Sequence, residues 1–171
     1  MKKIIFTGPE SSGKTTMSLW LKEELGGLYV PEFARLYLEE KGPEYDFEDL
    51  KKIADGQIEL IDKAAVSDKI VICDTGMIVL KVWAKIKFGQ DLESVEKVLQ
   101  EDDSALYVLC SPDIPWEADP LRESEHQREA LFKEYLSVLK SYCIDYVVLS
   151  GDLDERKNRL LSLNLHEKDT F

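Results

Sequence analysis

Five short apolar runs alternate with longer segments of helical periodicity: KKIIFT (2–7), LYV (28–30), KIVICD (69–74), ALYVLC (105–110) and DYVVLS (145–150). Runs this continuous suit strands buried on both faces, as in a parallel sheet. Between the first two, Met17, Trp20, Leu21 and Leu25 form one helical stripe that Gly26-Gly27 would end. A second helix is predicted from near Glu32. A third covers 47–65, with Asp46 as N-cap and Asp49 three residues on. Segment 76–88 contains MIVLKVWAKIKF, apolar around most of its circumference, which places that helix largely inside. Segments 91–102, 125–142 and 153–163 complete the helices, and the charged stretches 39–49 and 93–103 read as solvated faces and loops. Strands alternating with helices imply an α/β layer architecture with right-handed crossovers.

The first loop carries the sharpest chemistry. Gly8-Pro9-Glu10-Ser11-Ser12-Gly13-Lys14-Thr15 matches G-x-x-x-x-G-K-[ST], between an apolar strand and an amphipathic helix. The glycines allow close backbone approach, so that the N–H groups of Gly8 to Thr16, those of Glu10, Ser11, Ser12 and Gly13 included, can surround an anion. The following helix adds the positive end of its dipole. Lys14 can reach β- and γ-phosphates, and Thr15 can coordinate Mg²⁺. Asp74 ends KIVICD where a buried strand would emerge beside the loop, which suits a metal-binding carboxylate. ATP and Mg²⁺ are therefore the expected cofactors.

Composition narrows the partners. The 171 residues fit one domain, read as 1–171, and the formal charge of −12 argues against a nucleic-acid partner, whose phosphates need Lys and Arg. No apolar run approaches the ~20 residues that span a bilayer, and the short apolar start is no secretory signal, so a cytoplasmic protein without a membrane partner is expected. Cys73, Cys110 and Cys143 lie 33 to 37 residues apart and read as small core residues, not as a metal or redox set. Oligomeric state is left open, a homo-oligomer included.

A second, small substrate is suggested by polar groups at the same sheet edge. VPEFAR follows the second run directly. Glu32 there can take the proton of an acceptor hydroxyl, or else cap the helix; Arg35 can hold the acceptor or the transferring phosphate, or else pair with surface acids. Gln57 interrupts the apolar stripe of helix 47–65, so a ligand or backbone carbonyls must satisfy its amide. PDIPWEADPLRESEHQREALF (112–132) reads as a lid, at about 113–128, bringing Arg122 and Arg128 to one anion. Within it Trp116 can stack on a flat ring and Asp119 can bind a ribose hydroxyl or a positively charged ring. Gly151 and Arg156, after the last strand, are candidates to border the adenine. His126 and His166 read as solvated.

Taken together, GPESSGKTT, PEFAR, IADGQIELID, ICDT, PDIPWEADPLRE, QREALF and GDLDER resemble the ribosylnicotinamide kinase domain of NadR-type proteins, in the same order and over nearly the whole chain. The resemblance implies a P-loop NTPase fold of the nucleoside and nucleotide kinase type: a three-layer α/β/α arrangement with a five-stranded parallel sheet and a small helical lid. It implies ATP-dependent phosphorylation of nicotinamide riboside to nicotinamide mononucleotide. ATP phosphates would sit on Gly8 to Thr16 and Mg²⁺ near Thr15 and Asp74. The riboside would lie among Glu32, Arg35, Gln57, Trp116 and Asp119, under Arg122 and Arg128. Lys14, Glu32, Asp74, Arg122 and Arg128 would be catalytic, with Glu32 as base and Asp74 on the metal, roles that can be exchanged. NadR-type proteins often add helix-turn-helix and adenylyltransferase domains. This chain starts at the first kinase strand and has two histidines 40 residues apart, so neither adenylyl transfer nor DNA binding is expected. Two alternatives are a kinase for another nucleoside or small metabolite, and a regulatory ATPase acting through a protein partner.

Overall fold

The computed structural model describes residues 3–101 and 104–165; His166 lies outside them. Five strands, β1 (Lys3–Thr7), β2 (Leu28–Val30), β3 (Val71–Asp74), β4 (Ala105–Cys110) and β5 (Tyr146–Leu149), form one all-parallel sheet in the order β2-β3-β1-β4-β5. The sheet has the apolar runs at its centre because β1, β3 and β4 are covered on both sides. Along β1, Ile4 and Phe6 face a core shared with Met17, Leu21 and Leu160, from α1 (Lys14–Leu25) and α7 (Leu153–Leu161). Ile5 faces the opposite core, built with α2 (Phe33–Lys41), α3 (Phe47–Ala65), α4 (Met77–Trp83), α5 (Glu93–Glu101) and α6 (Arg128–Ser141). This is the three-layer α/β/α P-loop NTPase fold. β1 pairs with β3 on one side and β4 on the other, so the loop after β1 opens at the point where strand order reverses, the usual ligand crevice of such sheets.

Local sequence explains most element ends. Asp46 and Asp49 form a reciprocal capping box at the start of α3, and Asp152 and Glu155 form another at α7. The helix expected over 76–88 is α up to Trp83 and then winds as a π-helical turn, Ala84–Phe88, before Gly89 at φ 66° stops it. Before α6, the segment expected as a lid is helical only over Glu125–Gln127, one 3-10 turn; Pro112, Pro115 and Pro120 remove backbone donors upstream.

Three expectations are corrected. Asp49 is buried, not solvated: its carboxylate accepts from Tyr37 at 2.8 Å and pairs with Lys41 at 2.8 Å, which with the Asp46 backbone bond holds its pKa far below the usual carboxylate range. Glu96 is tied to Lys81 and Tyr142, joining α5 to α4 and to the residue after α6. Cys143 is exposed at φ 54°, while Cys73 and Cys110 are core residues as read, burial pushing the Cys110 thiol up to about 12.

One close approach gives a first testable consequence. Gly56, in the middle of α3, lies flat against the Phe33 ring, and a Cβ there would overlap the ring edge. Gly56→Ala would ordinarily favour a helix. Here overpacking should win and lower stability by about 1–3 kcal/mol, read as a fall in the urea midpoint.

Candidate active site

Between β1 and α1 the chain wraps into the phosphate loop. Gly8 has φ 133°, and a Cβ on it would stand 2.6 Å from the Cys110 carbonyl oxygen of β4, so only glycine fits. Ser11 holds φ 52° without that freedom, a strain of the kind that collects at ligand sites. Ser12 donates to the Pro9 carbonyl at 2.7 Å, and the Lys14 ammonium to the Gly8 and Pro9 carbonyls at 3.0 and 2.8 Å.

Arg156 of α7 braces this loop from behind. Only 2 % exposed, it donates to the carbonyls of Ser12 at 2.7 Å, Gly151 at 2.9 Å and Ser111 at 3.0 Å, and pairs with Asp113. Gly151 donates its N–H to the other Asp113 oxygen at 2.7 Å. Both residues were read as bordering adenine. In the structure their polar groups bind three loops together, and neither is among the residues that line the cleft.

Asp74 stands at the end of β3. One carboxylate oxygen accepts from Thr15 Oγ1 at 2.6 Å and from the Tyr29 hydroxyl at 3.1 Å. The other oxygen is buried with no hydrogen-bond partner among the described residues, as are the hydroxyls of Thr7 and Thr75. Thr75 also sits at φ 108°, a strained value for a β-branched residue. Burial, and next the Asp74 charge, push the Tyr29 hydroxyl pKa well above its ordinary value. Hard oxygen donors from Thr15 and Asp74, one atom of them uncommitted, fit a magnesium ion, which takes one or two protein ligands and completes its shell with phosphate and water.

Glu32 precedes α2 at the end of β2. It is the N-cap residue, yet its side chain makes no capping hydrogen bond. The backbone around it is fixed by Gln57, 1 % exposed, which accepts from the Phe33 N–H at 2.8 Å and donates to the Pro31 carbonyl at 3.2 Å. Of the partners that sequence left open for Gln57, the structure has the backbone. The Glu32 carboxylate lines the cleft with Lys14, Thr15 and Arg35 and makes no hydrogen bond among the described residues. Burial raises its pKa above the ordinary 4.5; Lys14 opposes that shift and Asp74 adds to it.

The cleft holds about 440 Å³ and continues from the phosphate loop to an apolar wall that includes Leu38, Val82, Trp83, Leu121 and Tyr135. That volume suits a small ligand. The segment 113–128 lines one side of the cleft. Glu10 accepts from the N–H groups of Glu123 and Ser124 at 3.0 and 2.8 Å, Ser11 Oγ accepts from the Glu117 N–H at 2.9 Å, and Arg128 donates to the carbonyls of Ser11 and Ile114 at 3.1 and 3.0 Å. Glu10 and Arg128 thus hold the segment 113–128 to the phosphate loop. Arg122 lines the cleft. Trp116 packs with the guanidinium groups of Arg122 and Arg128 at 5.9 and 5.7 Å from its ring, and with Asp119 it lines a smaller pocket sharing Arg122. Asp119 pairs with Arg35 at 3.0 Å, tying the segment 113–128 to α2.

Sequence reasoning missed Tyr29, Thr75, Tyr45, Trp83, Lys87 and Glu123. The π-helical turn that places Lys87 has no local signature, Tyr45 sits in the charged stretch 39–49 that read as solvated, and Glu123 lies in the segment read as a lid, where only the arginines, Trp116 and Asp119 were singled out.

Known proteins match this picture. Residues 3–156 match the family model described as AAA domain. The trifunctional NAD biosynthesis/regulator protein NadR of Salmonella typhimurium is 30% identical over 95% of this chain, which covers 42% of that relative. The chain thus spans about two fifths of the length of the curated relatives it matches. Among solved structures, a NadR protein in complex with NR superposes with a TM-score of 0.73 at 22% identity, over 95% of this chain and 48% of that one. Deoxyadenosine kinase from M. mycoides with bound dATP gives 0.67 at 16% identity, over 96% and 100%. No helix among the described residues is long and apolar enough to cross a membrane. From motif, fold and family model together, the chain belongs to the AAA domain family and has the P-loop NTPase fold.

Proposed function

We propose that this domain transfers the γ-phosphoryl group of Mg·ATP to the 5'-hydroxyl of nicotinamide riboside, giving nicotinamide mononucleotide, with residues 113–128 as its lid. The observation that carries the reading is Glu32: a carboxylate with no hydrogen-bond partner among the described residues, in the same cleft as Lys14 and Thr15. A group so placed can accept a hydroxyl proton as the new O–P bond forms. The choice of riboside is supported by likeness to NadR, whose solved structure contains NR.

In this reading the N–H groups of Gly8 to Thr16 hold the triphosphate, with Lys14 moving from its loop carbonyls to the β- and γ-oxygens. Thr15 and Asp74 would hold Mg²⁺, which when bound neutralises phosphate charge. Glu32 orients the acceptor hydroxyl and takes its proton. Arg122 meets charge on the transferring group, while Arg128, Glu10 and the Arg35–Asp119 pair keep the lid over the cleft and water out. Among the described residues Asp74 has two hydroxyl partners and the Glu32 carboxylate has none, which favours Asp74 on the metal and Glu32 as base.

Likeness over the full length of a deoxyadenosine kinase favours a second reading, another nucleoside as acceptor. Coupled ADP release across nicotinamide riboside and the common nucleosides decides between them. The proposal expects turnover with the riboside at the highest kcat/KM; a higher value for any other nucleoside overturns that choice of acceptor.

A further inference from the structure

The wall of the cleft also carries polar groups that phosphoryl transfer itself does not use. The turn Ala84–Phe88 winds as a π-helix, a rare form found frequently at functional sites. It brings Ile86 and Lys87 to the cleft wall. The Lys87 ammonium lies 3.9 Å from the Tyr45 ring centroid and donates to the Tyr45 hydroxyl at 2.5 Å and to the Glu123 carboxylate oxygens at 3.1 and 2.9 Å. Trp83 meets the same ring edge to face at 5.1 Å and donates its indole N–H to the Tyr45 oxygen at 2.9 Å. Two aromatic side chains, one ammonium and one carboxylate therefore share the cleft with Glu32 and Lys14.

An ammonium only donates and an ionised carboxylate only accepts. Adjacent, they complement a planar group that presents an acceptor beside a donor, such as a primary carboxamide or a ring nitrogen next to an exocyclic amine. We propose that Tyr45, Trp83, Lys87 and Glu123 form the subsite that reads the acceptor's base, selecting a neutral edge of this kind over the corresponding carboxylate. The proposal rests on the acceptor-kinase reading above. A carboxylate would gain from Lys87 but meet like charge at Glu123; a carboxamide satisfies both. The backbone of Glu123 is held separately through its N–H bond to Glu10, so changing its side chain leaves the lid anchored.

The test is steady-state kinetics of the wild type, Lys87→Met, Lys87→Arg and Glu123→Gln on nicotinamide riboside, its carboxylate counterpart and adenosine. Losing a hydrogen bond to a charged group should raise the acceptor KM about tenfold or more in Lys87→Met and Glu123→Gln. The KM for ATP and the melting temperature should hold, and Lys87→Arg, which keeps donors, should recover most of the loss. Glu123→Gln should also narrow the preference for carboxamide over carboxylate. Acceptor KM values unchanged in both variants, or a wild-type preference for the carboxylate, would overturn the subsite. If the wild type uses adenosine and not the riboside, the riboside assignment falls, and the same KM comparison on adenosine decides the subsite. No turnover of any acceptor overturns both.

Discussion

Glu32→Gln is expected to lower kcat by about 10³-fold while Mg·ATP still binds, because the amide keeps the shape of the side chain but cannot accept the proton. The phosphate loop and its Thr15–Asp74 partner do not depend on Glu32 for any hydrogen bond, so nucleotide affinity should be spared. A pH profile sharpens the test. Burial raises the Glu32 pKa above 4.5, and the base must be ionised to act. Activity should therefore fall on the acid side at a pH above 4.5, and that limb should be absent from the residual activity of Glu32→Gln. If nucleotide affinity falls as much as turnover, Glu32 is part of the metal site and not the base.

Arg156→Ala should be the most damaging change remote from the acceptor. Its guanidinium is buried and serves the carbonyls of Ser12, Ser111 and Gly151 as well as Asp113. Deletion would strand those acceptors and leave Asp113 uncompensated. Breaking a buried pair costs 3–5 kcal/mol, and Asp113, about a third exposed, places the loss near the lower end, at about 3 kcal/mol. The loop should also lose its shape, so ATP affinity should drop beyond what destabilisation explains. Denaturant melts and nucleotide titration of the folded variant read the two effects separately. A stable variant with weakened adenine discrimination alone would return Arg156 to the nucleotide-facing role first read for it.

The contrast between these residues shows what a sequence can carry. The parallel sheet and the loop after β1 are local patterns: uninterrupted apolar runs, a G-x-x-x-x-G-K-T segment, and an Asp46/Asp49 box that appears in the structure as written. The bracing bonds of Arg156 could not be read ahead, because its partner Ser12 lies 144 residues away and no nearby pattern reports that commitment. Gln57 was left open for the same reason, since its partners come from the turn before α2. Asp49 looked solvated because its own neighbours are charged; Tyr37 and Lys41 approach it from α2. Lys87 escaped notice because a π-helical turn shifts the side chains after it away from the positions that a 3.6-residue period assigns.

The account's central claim is that the cleft delivers phosphoryl groups to a small alcohol facing Glu32, and γ-labelled ATP tests it most directly. With nicotinamide riboside present, the label should appear on the riboside product, with inorganic phosphate a minor species. Label released as inorganic phosphate at the same rate with and without riboside or any nucleoside would contradict it.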